Sequence, residues 1–278
     1  MKKSAVVAIA AVTLALVGAG RPASASTILL YDSLPAAGTF NLPSLAYQGT
    51  QTSQFGELIQ LTASGQFDLT VTVAMSNWSV ESAYQPAGTS AGFFHDLTFN
   101  LFDVGAGNTV GSAIASQTVA AFIPWRPEAD PTCPTVTSWR AGDLECYTGS
   151  LSQVSFSFSG ITVPNQLIYG LAYNTQSSGE NPIGTAGPFN SLNFGLTGPP
   201  TVGLNVLADT AYWDTAIAAF YTDGGAGGVG VFRADTLWDP YNGAVQFSGA
   251  EVPEPTSMLL LGAGLVGVAR KVRRRLTK

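Results

Sequence analysis

The sequence predicts an all-β body, an antiparallel two-sheet sandwich of jelly-roll or Greek-key type, and three observations predict it. Apolar and polar residues alternate with a period of two in the strongest strand candidates. Clusters of Gly, Pro, Asn and Ser separate those candidates at turn-forming positions. Capped helical periodicity is nearly absent between residues 26 and 249. An N-terminal signal peptide and a short C-terminal transmembrane helix are expected to flank this body.

Along the chain, Met1-Lys2-Lys3 is a basic start, Ser4 to Gly20 is almost wholly apolar, and Ala23-Ser24-Ala25 is a small-x-small cleavage site. These are the n-region, h-region and processing site of a secretory signal peptide, cut after Ala25 by signal peptidase. "FGELIQLT" is a weaker strand candidate. "QFDLTVTVAM" is a strong one, with Phe67, Leu69, Val71, Val73 and Met75 on one face and Asp68, Thr70 and Thr72 on the other. "DLTFNLFDV" repeats the alternation with Leu97, Phe99 and Leu101, and "AIASQTVAAF" follows it more weakly. "VSFSFSG" sets Val154, Phe156 and Phe158 inward and serines outward; "LIYGLAY" and "SLNFGL" continue the series. "DTAYWDTAIAAFY", Asp209 to Tyr221, is the one stretch expected to form a short helix, with Asp209 as its N-cap. "VGVFRA" and "AVQFSG" complete a set of about nine strands, a number that suits a sandwich.

Between the strand candidates, "PTCPTVTSWRAGDLECYTG" holds the only cysteines, Cys133 and Cys146. In an oxidising compartment they are expected to pair, closing a loop worth about 3 kcal/mol in the chain-entropy estimate. "TDGGAGGVG" lacks the Lys-Ser/Thr of a phosphate loop and reads as a hairpin.

Charge is distributed unevenly. Between Ser26 and Pro253 there are three arginines and no lysine against 17 of the 18 carboxylates, which leaves the body at −14. Such a surface repels nucleic acid and anionic headgroups and tolerates neutral glycans or divalent cations. No cofactor is expected. Calcium is the one ion that the acidic loops would suit, through Asp209, Asp214 and Asp223 or Glu128, Asp130, Asp143 and Glu145. No EF-hand or RTX spacing supports it, and a solvated acidic face is the simpler reading. The single histidine, His95, stands beside Asp96, but no G-x-S-x-G elbow accompanies the pair, so the chain does not read as an enzyme. Five tryptophans sit mostly in loops or at strand ends. Trp125, Trp139, Trp213 and Trp238 are the sugar-stacking candidates, with core packing as the more ordinary role.

The C-terminal segment, 250–278, is built differently. Pro253 and Pro255 hold Glu254 in an extended segment open to a protease. Met258 to Ala269 is apolar but short of the roughly 20 residues of a spanning helix. Arg270, Lys271, Arg273, Arg274 and Arg275 then form a basic stop on the cytoplasmic side. This order of parts resembles the PEP-CTERM sorting signal of bacterial exosortase substrates, a segment also known as an ice-binding-protein C-terminal domain without implying ice binding. The resemblance covers about a tenth of the chain. It implies export through the inner membrane, transient anchoring there, and cleavage by an exosortase near Pro253-Glu254-Pro255. Delivery to the cell surface or medium would follow, in bacteria that make exopolysaccharide and biofilm. The body resembles, more loosely, secreted β-rich bacterial proteins through "TQTSQFGELIQL", "PWRPEADPTC" and "LIYGLAYNT", which brings no activity with it. The expected role is that of a structural or adhesive surface or matrix protein in exopolysaccharide or biofilm; the alternative is a carbohydrate-binding module, and a glycan-active enzyme ranks third.

Overall fold

A computed structural model describes residues 26–84, 90–175 and 187–252, together with Gly262, Gly264 and Leu265. Residues 1–25, expected to form a signal peptide, and nearly all of the 250–278 segment lie outside the described residues. No helix among the described residues is long and apolar enough to cross a membrane.

Two large antiparallel sheets pack face to face. The strands are β1 (Thr27–Asp32), β2 (Ser44–Leu45), β3 (Thr52–Gly56), β4 (Leu58–Gln60), β5 (Gly65–Asn77), β6 (Gly92–Val104), β7 (Val110–Pro124), β8 (Trp139–Arg140), β9 (Cys146–Tyr147), β10 (Ser150–Val163), β11 (Gln166–Tyr173), β12 (Leu192–Thr197), β13 (Leu204–Asn205), β14 (Thr210–Thr215), β15 (Arg233–Thr236), β16 (Asn242–Gly243) and β17 (Val245–Glu251). Ten of them are five residues or longer, against about nine expected. The first sheet is organised on β5, which pairs β10 along one edge and β17 and then β12 along the other. The terminal strand β1 pairs β17, and β2 and β16 pair β12. The second sheet runs β7–β6–β11, continues through β3 and β4, and ends in β14 and β15, with β13 on β4. The chain crosses between sheets after β2, β4, β5, β7, β10, β11, β12 and β15, so this is a sandwich with crossover connections and not a meander.

The period-two pattern fixes which side of each strand faces inward. Phe67, Leu69, Val71, Val73 and Met75 of β5 are buried, as are Val154, Phe156 and Phe158 of β10 and Leu97, Phe99 and Leu101 of β6. Aromatic rings bridge the layers. Phe99 meets Phe156 at 5.2 Å and Phe247 at 5.9 Å between centroids, and Phe55 meets Phe194 at 5.9 Å. Tyr47, from a one-turn helix (Tyr47–Thr50), stacks on Tyr173 at 4.0 Å. A second, smaller cluster of Leu58, Ile168 and Tyr212, with Phe102 and Phe232 packed on it, covers the outer side of the second sheet.

The expected helix over Asp209–Tyr221 is a strand. β14 occupies Thr210–Thr215, and only a 3-10 turn at Ala218–Phe220 follows it. Its register on β3, Trp213 opposite Phe55 and Tyr212 opposite Gly56, puts Ala211 and Trp213 in the main core and Tyr212 in the outer cluster. Both faces are buried, which removes the alternation that marks a half-buried strand. Asp209 caps no helix; its carboxylate accepts the Asp239 N–H at 3.4 Å. "FGELIQLT" is likewise two strands, broken at Glu57, and "VGVFRA" becomes strand only from Arg233.

Candidate binding surface

On the outer side of β5, Thr70 and Thr72 line up with Ser157 and Ser155 of β10 and with Ser248 and Gln246 of β17. Thr72 and Ser155 join through their hydroxyls at 2.9 Å. This floor is uncharged, and Asp68 at its rim is occupied by the Gly160 N–H at 2.8 Å. Further along β5 the outer side is covered. The Leu151 N–H donates to Phe40 O, Ser76 Oγ donates to Asn41 Oδ1 at 2.7 Å, and Ala74 and Ser76 are fully buried.

Beyond that cover, Trp78 follows the strand's last residue, Asn77, and lies beside Gly149, one step past the Asn77–Ser150 pair. A Cβ on Gly149 would come within 2.6 Å of Trp78 Cδ1 and Nε1, so the absent side chain is what lets the indole lie there. The same glycine accepts, at its carbonyl, the indole N–H of Trp139 at 2.8 Å. Trp139 stands across the β8–β9 pair from Tyr147, and both rings lie about 6 Å from Phe40, at 6.1 and 6.0 Å. Cys133 and Cys146 are bridged, with Cα atoms 5.8 Å apart, and fasten this hairpin to the loop before it.

The four tryptophans expected to stack on sugars are distributed differently. Trp213 is 3% exposed, with its N–H on Asp235 Oδ2 at 3.1 Å, and is removed from any surface platform. The strand that carries it is a central one, a placement the helix expectation hid. Trp238 is half-buried on Phe55 and Trp213, with centroids at 5.0 and 4.9 Å. Trp125 is half-buried between Phe93 and Tyr84. Trp139 is half-buried in the corner just described. Of the five tryptophans, Trp78 is the one left open, at 47%. Only its place after "VAMSN" marks it as a strand end in the sequence.

The acidic loops are internally occupied. Asp130 accepts the Thr132 N–H and hydroxyl and faces Arg140 Nε at 3.5 Å. Asp143 accepts the Tyr147 hydroxyl at 2.6 Å and the Glu145 N–H. Asp223 accepts two N–H groups of the glycine-rich turn, from Gly225 and Gly227, and an Arg233 N–H at 2.8 Å. Hydrogen bonds from Thr132, Tyr147 and Arg233, respectively, hold the three carboxyls below their usual range. Among the described residues no three His, Cys, Asp or Glu side chains converge as a metal cluster.

His95 and Asp96 are neighbours on a strand, so they point to opposite faces: His95 is 2% exposed and Asp96 is open to solvent. The imidazole stacks on Phe189 at 4.8 Å, and burial above all pushes its pKa down to about 4. It is neutral at pH 7. Glu57 is a feature that sequence reasoning missed. Gly56 lies so close to β11 that a Cβ there would fall 1.7 Å from Tyr169 O, and the strand breaks at the next residue. The break turns the Glu57 carboxyl into the core, where it accepts the Gly243 N–H at 2.8 Å and the Tyr169 hydroxyl at 3.3 Å. Burial raises its pKa to about 8, against the opposing effect of those two bonds. A lone glutamate inside the apolar run "FGELIQL" was the available signal.

The last strand ends at Glu251, and Val252 N–H still donates to Gln66 O at 3.0 Å, so the sandwich closes where the proline segment begins. Pro253, Glu254, Pro255 and the basic cluster from Arg270 to Arg275 lie outside the described residues, as do Ala23 and Ala25. A finished antiparallel sandwich joined directly to such a segment defines a body carried on a sorting tail. The tail is identified by comparison: a family model of the PEP-CTERM protein-sorting motif matches residues 251–275. The chain thus carries a motif that directs export, exosortase processing and sorting to the cell surface. No curated protein and no solved structure matches the chain.

Proposed function

We propose that the protein is a non-enzymatic surface or matrix component with a structural or adhesive role in exopolysaccharide or biofilm. The observation that carries this reading is the direct passage from the completed sandwich at Glu251 into the sorting motif, which delivers a folded β body to the cell exterior. The uncharged hydroxyl floor on β5, β10 and β17 supports contact with neutral glycan, and the opposed directions of His95 and Asp96 support a role without catalysis. A carbohydrate-binding module is the second reading, favoured by the open indole of Trp78. In either case the membrane holds the chain only until the exosortase cuts.

Replacing Pro253-Glu254-Pro255 with alanines is expected to leave the chain in the inner membrane and to thin the biofilm. Fractionation and crystal-violet staining read the two effects. Unchanged processing and surface delivery would contradict the sorting role of these three residues.

A further inference from the structure

Trp78 is open to solvent yet held at three points. Its N–H donates to Ser191 O at 2.9 Å, its carbonyl accepts Arg126 Nε–H at 3.2 Å, and its indole N–H donates to Ser76 Oγ at 3.0 Å. Ser76 in turn donates to Asn41, which places an amide beside the ring. With the indole N–H engaged, the ring offers its flat apolar surface. Holding the indole in one place lowers the entropy cost of stacking on it. Beside Trp78, the bridged hairpin sets Trp139, Tyr147 and Phe40 around the same glycine.

We propose that Trp78, with the Trp139–Tyr147 hairpin beside it, is a stacking site for an uncharged pyranose of a polysaccharide chain. The proposal rests on the glycan reading above and gives it a place in the molecule. A pyranose ring has an apolar C–H face that matches an indole and equatorial hydroxyls that match an amide and backbone carbonyls. Charge selects among flat ligands: Asp143 and Glu145 on the hairpin and a body at −14 disfavour an anionic sugar or a nucleobase on a phosphate chain. The hydroxyl floor lies on the same outer side of β5, separated from Trp78 by the Phe40–Asn41 segment that covers Ala74 and Ser76, so a polymer chain that stacks on Trp78 must pass over that segment to reach it.

The test uses the exported protein in native gels cast with hydroxyethyl cellulose or dextran, with chelator present. Trp78→Ala is expected to weaken retardation about tenfold, the loss that follows removal of a central aromatic anchor. Phe122→Ala, which removes an exposed ring from the second sheet, is expected to leave it unchanged. Saturating polymer should also shield one tryptophan from acrylamide quenching in the parent protein and none in Trp78→Ala. Retardation equal in parent and Trp78→Ala would overturn the site while leaving the adhesive role standing. No retardation of the parent by either polymer would overturn the site and the glycan contact together, with surface sorting still tested by its own experiment. Shielding by choline in place of polymer would assign the ring to cations and overturn the proposal.

Discussion

Glu57 is the residue whose chemistry departs furthest from its sequence neighbours. Its carboxyl titrates near 4.5 in an open chain and near 8 in the core, so the folded state favours the neutral acid. The resulting stabilisation is complete below about pH 4.5 and is lost as the pH rises through about 8. At 1.36 kcal/mol per unit, the full loss is about 5 kcal/mol. Glu57→Gln keeps an acceptor for Gly243 and offers Tyr169 a donor, so it is expected to flatten the stability profile and raise stability at pH 8. Urea denaturation of both proteins at pH 5, 7 and 8.5 checks this; parallel profiles would show that Glu57 is ionised throughout. His95 works in the opposite sense and by the same cause. Its folded pKa is depressed, so burial of the neutral ring costs stability only as the pH falls below about 6.5 towards 4.

Among the elements, the disulfide-bonded hairpin depends least on the two large sheets. β8 and β9 form a separate two-stranded pair, tied to the body through Trp139 on Gly149 and the ring packing of Phe40. Cys133 and Cys146 are 13 residues apart, and opening their loop should cost about 3 kcal/mol in the chain-entropy estimate. The double variant Cys133→Ser, Cys146→Ser is therefore expected to unfold at lower denaturant. Its hairpin should lose amide protection before β5 and β10 do, as hydrogen exchange would record. A stability unchanged within about 0.5 kcal/mol would show that ring packing alone holds the hairpin. The long strands are secured differently, by cross-sheet pairs such as Phe99 and Phe156 that no single local change disconnects.

For the molecule as a whole, electrostatics narrows the partners. The body carries −14 with no lysine, and its exposed acids on the loops are tied to nearby N–H and hydroxyl groups without being neutralised overall. Repulsion of a polyanion acts over a Debye length of about 8 Å at physiological salt. No retardation by DNA or heparin is expected in affinity gels with chelator, and added salt should not create any. Retardation by heparin under those conditions would show that local geometry outweighs net charge. The same net charge contributes a repulsion between copies of the body and favours its solubility.

What the sequence determined by itself is what is written locally. Alternation placed Phe67 to Met75, Leu97 to Leu101 and Val154 to Phe158 inward, because a strand with one buried face repeats every two residues. The cysteine pair was legible because only two cysteines exist, and the sorting tail because its proline segment, apolar run and basic cluster are contiguous. Tertiary structure decided the rest. β14 is a strand because β3 leaves it an edge to pair with and a second apolar layer buries Tyr212 on its outer side. Glu57 is buried because Gly56 is pressed against Tyr169 and the strand breaks there. Trp213 is hidden and Trp78 open because one lies in a central strand and the other just beyond the segment that covers β5. A side chain's period tells which way it points, and only the packed layers tell what it meets there.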